Sequence, residues 1–70
     1  MFAAVEAHYA MKHHVDVNVM RNGQCVGHIH AAHGVVVVSS ENCSGRSVSG
    51  LRVALYEFGD PNWLDFEIVA

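Results

Sequence analysis

Val15, Val17 and Val19 alternate with Asp16 and Asn18, the two-residue period of a half-buried strand. Asn22-Gly23 follows, a strong short-range signal for a hairpin. Cys25, Gly27 and Ile29 then alternate with Val26, His28 and His30 in a returning strand. His33-Gly34 makes a second turn, and Val35–Val38 a third strand. Four consecutive valines predict burial on both faces, or a strand that changes neighbours halfway. Before these strands, Phe2, Val5 and Tyr9 recur at spacings of three and four among good helix formers. They predict a core-facing helix from about Phe2 to Lys12. Beyond them, Glu41–Gly50 reads as a polar Ser/Gly loop and Leu51–Phe58 as a fourth strand. Gly59–Asn62 is a turn in which Pro61 fixes φ. Leu64, Phe66 and Ile68 alternate with Asp65 and Glu67 in a fifth strand. The expected fold is mainly β: a short N-terminal helix, then a five-stranded, strongly bent antiparallel sheet or small, partly open barrel, in one domain over residues 1–70.

Register decides where the histidines point. A two-residue turn at Asn22-Gly23 pairs Val17 with His28 and Val15 with His30, which puts two imidazoles on the valine face. A three-residue turn pairs Val19 with Cys25, Val17 with Gly27 and Val15 with Ile29, which leaves one face fully apolar. A one-residue slip moves every side chain to the other face, and unpartnered buried imidazoles cost a few kcal/mol. The three-residue turn is therefore preferred. It sets Asp16 across from His28 and His14 across from His30. Those four side chains, His14, Asp16, His28 and His30, are legitimate ligands for zinc, nickel or copper, so a metal-binding protein is an alternative reading. A solvated polar face is the simpler one, and no cofactor is expected.

Composition narrows the function classes. The chain has 70 residues, of which 51% are hydrophobic and 16% charged. A domain this small buries only about 60% of its unfolded surface, and surplus apolar surface is often buried in an oligomer. The formal net charge is −3, with Lys12, Arg21, Arg46 and Arg52 as the basic residues. That is not the footprint of a phosphate-gripping protein, although a local patch can outweigh the total. No DNA partner is expected. Cys25 and Cys43 form no metal-type or disulfide-type pattern and read as reduced thiols of a cytoplasmic protein. Met1–Ala10 lacks the basic start of a signal peptide, and no apolar run approaches a membrane span. No cysteine, serine or carboxylate pattern marks a catalytic centre, so enzyme chemistry is not expected.

The stretch VDVNVMRNGQCVGHIHAAHGVVVV (Val15–Val38) resembles the first conserved motif of the Sm/LSm family, which includes Hfq-like RNA chaperones. Alternating valines, the Asn-Gly turn and the Gly27-His28-Ile29 group carry the likeness, with Val36, Val37 and Val38 as the third strand. LRVALYEF-GDPN-WLDFEIVA looks like that family's fourth strand, last loop and fifth strand. The resemblance implies a homo-oligomeric ring joined by pairing of the fourth strand of one copy with the fifth of the next. It also implies RNA contact from the loops, here His33, Val35 and Asp60. The chain departs from the family where His33 replaces an aspartate, Val37 the base-reading asparagine, and Asp60 lies near the usual Arg-Gly. Valine cannot hydrogen-bond a base and aspartate repels phosphate. The expectation is an Sm-like ring that contacts RNA through an altered surface, or one that serves as a protein-interaction or structural module. The lysine-poor outer strands agree with edge pairing, and Trp63 is expected to cap the core or a protomer interface.

Overall fold

The computed structural model describes residues 3–40 and 43–70. Helix α1 (Ala3–Lys12) is followed by strands β1 (His14–Arg21), β2 (Gln24–Ala32), β3 (Val35–Ser40) and β4 (Cys43–Val48). Helix α2 (Leu51–Tyr56), a 3-10 turn (Pro61–Trp63) and strand β5 (Asp65–Ile68) complete the chain. The five strands form one antiparallel sheet in the order β4-β3-β2-β1-β5. β4 and β5 do not pair with each other, so the sheet is open. The mainly β fold expected from the pattern is present, with one helix more.

That helix is the main correction. Leu51–Phe58 was expected to be the fourth strand, the one the Sm resemblance also placed there. Leu51–Tyr56 is α-helical instead, and the fourth strand is Cys43–Val48, inside the expected loop. Leu51, Val53 and Leu55 alternate as a strand would. Leu51, Ala54, Leu55 and Phe58 also fall at i, i+3, i+4 and i+7, which is one helix face. The helical face wins because it packs: Ala54 and Leu55 are fully buried and Leu51 and Phe58 lean on the same core. Val53 and Tyr56 are left exposed. The Ala54 amide donates to the Gly50 carbonyl at 3.1 Å, and Gly59 (φ 111°) lets the chain leave the helix.

The β1–β2 register is neither of the two expected. Asn22 (φ 51°) and Gly23 (φ 79°) form a two-residue turn with both residues left-handed. It pairs Arg21 with Gln24 and Met20 with Cys25. Continued unchanged, that register would bring His28 and His30 to the valine face. Val26 is an extra residue, and beyond this bulge Val19 pairs with Gly27 and Val17 with Ile29. One bulge thus reconciles the tight turn with an apolar face. The histidines face away from the core, as expected, but Asp16 lies opposite His30, and His14 opposite Ala32.

α1 and α2 cover the apolar face, joined by Arg52, whose guanidinium donates to the Glu6 carboxylate at 3.1 Å. Val5, Val15, Val17, Val19, Ile29 and Leu55 are fully buried there. Tyr9 is partly buried against the core, while Phe2 lies outside the described residues. α1 ends at His13, left-handed at φ 63°, whose amide donates to the Tyr9 carbonyl. β3 is buried on one face only: Val36 and Val38 point inward and Val35 is exposed. Trp63, expected to cap the core or an interface, does not cap the core: it is 80% exposed.

Candidate functional site

The sheet face away from the helices carries a continuous polar network. Alternation along β1 and β2 puts Asp16, Asn18, His28 and His30 on it. Pairing of β5 with β1 adds Glu67 opposite Asn18. The Asn18 amide donates to Glu67 Oε1 at 3.2 Å. His28 Nδ1 lies 3.0 Å from Asn18 Oδ1, and His28 Nε2 lies 3.4 Å from Asp16 Oδ1. His30 Nδ1 approaches the same Asp16 oxygen at 2.5 Å. Five side chains from three strands are therefore linked in sequence, each partly open to solvent.

The hydrogen bond from His30 lowers the pKa of Asp16 below the ordinary carboxylate value; desolvation opposes this, and the charge of His30 and the bond from His28 add to it. A depressed carboxylate pKa contributes stability that is present above the unfolded value, near 3.9, and is lost as pH falls through the folded one. Stability should therefore drop as the solution is acidified below about pH 4. Asp16→Asn should flatten that drop, with a loss at neutral pH of no more than about 1 kcal/mol because the pair is solvent-screened. Urea unfolding at a series of acidic pH values checks both.

The structure brings together Asp16, His28 and His30 from the expected metal set and leaves out His14, whose ring stands edge-on to His8 at 6.3 Å. Among the described residues no group of three or more His, Cys, Asp or Glu side chains is arranged to hold a metal ion. The RNA-contact residues do not form one site. His33 (φ 52°) and Gly34 make the β2–β3 turn, with the exposed Val35 beside it. Asp60 lies past the other end of β1, where Gly59 approaches Arg21 and Arg21 donates to the Phe58 carbonyl at 2.8 Å. The Asp60 carboxylate accepts from the Asn62 amide and so caps the 3-10 turn.

Asn18 and Glu67 are the network members that sequence reasoning missed. Both sit in clean alternation, but only the β1–β5 pairing shows that they meet. Cys25 and His28 flank a shallow groove of about 240 Å³ floored by Val26 and Gly27 and walled by Ser39 and Ser40. The exposed Cys25 thiol donates to the Gly27 carbonyl at 3.4 Å.

Fold and site together define a small helix-backed open sheet with a histidine–carboxylate network on its bare face. Comparison with models of known protein families, with curated proteins and with solved structures finds no match. No helix among the described residues is long and apolar enough to cross a membrane.

Proposed function

We propose that the chain is the subunit of a homo-oligomer whose copies join edge to edge, β4 of one against β5 of the next, as a divergent Sm-like assembly. One observation carries the reading: the sheet is open at both edges, and Trp63 stands 80% exposed at the end of the 3-10 turn, two residues before β5 begins. Unpaired edges recruit strands unless something blocks them, and a large exposed aromatic beside such an edge is the kind of side chain that anchors interfaces. Two different edges meeting head to tail close into a ring when the rotation permits.

The role that fits best is a protein-interaction or structural module. Each arginine already has a partner within the chain: Arg21 the Phe58 carbonyl, Arg46 the Glu57 carboxylate and Arg52 the Glu6 carboxylate. The bare face is acidic and histidine-rich, and phosphate binding needs positive charge. The second reading, RNA contact, rests on the exposed His33 and Val35 side by side at one turn.

Light scattering on tag-free protein, followed by titration of labelled oligo-U and oligo-A at low and moderate salt, tests this. The expected result is a mass of several chains without salt-sensitive RNA binding. A multimer that binds RNA in a salt-sensitive way would move the function to the second reading, and a monomer at all concentrations would overturn the proposal.

A further inference from the structure

A protruding aromatic and a groove stand at opposite ends of the strand order. The aromatic is Trp63, exposed in the 3-10 turn that leads into β5. The groove runs along the outer side of α2. Among the described residues Arg52, Val53, Tyr56 and Glu57 line it, around a volume of about 560 Å³. These positions are i, i+1, i+4 and i+5, the helix stripe turned away from the buried Ala54 and Leu55. α2 packs over β2, β3 and β4, and Glu57 is ion-paired with Arg46 of β4, so the groove borders the β4 edge. β4 and β5 are the two edges of the sheet. Trp63 therefore sits by one edge and the groove by the other, and Trp63 is not part of the groove wall of its own chain.

We infer, building on the edge-to-edge reading above, that Trp63 of one copy seats in the α2 groove of the next and anchors the head-to-tail junction. The chemistry of the two surfaces matches group by group. An indole brings an apolar body, π faces that attract cations and one N–H that needs an acceptor. Val53 and Tyr56 offer exposed apolar surface for the body. Arg52, held by the Glu6 carboxylate at 3.1 Å, supplies a planar guanidinium, the cation that stacks best on aromatic faces. The Glu57 carboxylate supplies the acceptor for the indole N–H. The groove beside Cys25 is a poorer seat: it is smaller, about 240 Å³, and lies between the interior strands β2 and β3 rather than at an edge. A protrusion and a groove on different surfaces of one chain make a heterologous contact. That is the same head-to-tail sense that pairing of β4 with β5 demands, so one junction serves both contacts.

Sedimentation velocity over a range of concentrations, on the native chain, Trp63→Ala and Val53→Glu, tests this seat. Both positions are exposed, so both variants should unfold in urea close to the native midpoint. Val53→Glu sets a carboxylate where the indole must lie. Each variant should associate roughly tenfold or more weakly than the native chain, the scale of a lost anchor residue. Mixed in equal amounts, the two should associate more tightly than either alone, because one still carries Trp63 and the other an intact groove. Trp63 is the only tryptophan, so emission from the mixture comes from the Val53→Glu chain alone and should shift to the blue as the pair forms. A native chain that assembles while either variant assembles equally well would overturn the inference and leave edge pairing standing. A mixture that behaves as the sum of its parts would overturn it too. A native chain that stays monomeric throughout would overturn the edge-to-edge reading and this seat with it.

Discussion

Gly27→Ala should cost roughly 1–3 kcal/mol, toward the upper end, because the new methyl group has no room. A Cβ at position 27 would lie 2.2 Å from Phe58 Cε1 and 2.8 Å from the Ser39 carbonyl oxygen. The ring can turn aside only by leaving the seat that Phe58 occupies at the end of α2. The carbonyl belongs to the neighbouring strand and cannot move without disturbing the β2–β3 ladder. Against a total stability of roughly 4–10 kcal/mol for a chain of this length, such a loss would lower the unfolding midpoint substantially. Phe58→Ala in the same chain should remove the ring clash, so the double variant should lose less than the two single losses added together. Urea unfolding of the four proteins measures this. Full additivity would mean that the ring and the glycine do not share one seat.

Leu55→Ala should cost about 2–5 kcal/mol, the range for emptying a buried leucine site. Leu55 is fully buried between α2 and the sheet, among the largest enclosed side chains. Val53→Ala, two residues away on the exposed side of the same helix, should cost less than about 1 kcal/mol. Thermal or urea unfolding of the two variants separates them. A strand at this position would bury residues 53 and 55 together, so similar losses would contradict the helix.

The strands β1, β2, β3 and β5 were legible because each buries one face, and alternation states which residues go in. The preference for an apolar valine face was correct, although the register that delivers it was not. The expected register and the real one differ by two positions, so they bury the same side chains. A bulge at Val26 leaves no mark in a hydrophobic pattern, so the turn looked like the place where the extra residue belonged. β4 was not legible: its sequence, CSGRSV, is small and polar, and its pairing comes from β3 rather than from its own propensity. α2 was legible in principle. Leu51–Phe58 satisfies both the helical and the strand period, and only packing of Phe58 against Gly27 and of Leu55 into the core decides between them.

The candidate site divides in the same way. Asp16, His28 and His30 could be placed on one face from alternation alone. His14 fell away when the register moved by two. Asn18 and Glu67 joined only through β5, whose partner strand the sequence did not specify. His33 carries a backbone reason for its place, a left-handed turn position that histidine tolerates better than most side chains. Asp60 likewise serves as a local cap.

Trp63 is the single tryptophan of the chain, so its fluorescence reports on one place beside the β5 edge. Emission recorded over a wide range of protein concentration tests edge-to-edge assembly most directly. Edge-to-edge assembly predicts a water-exposed spectrum at the lowest concentrations that shifts to the blue as copies pair. A spectrum that stays water-exposed at every concentration would contradict it.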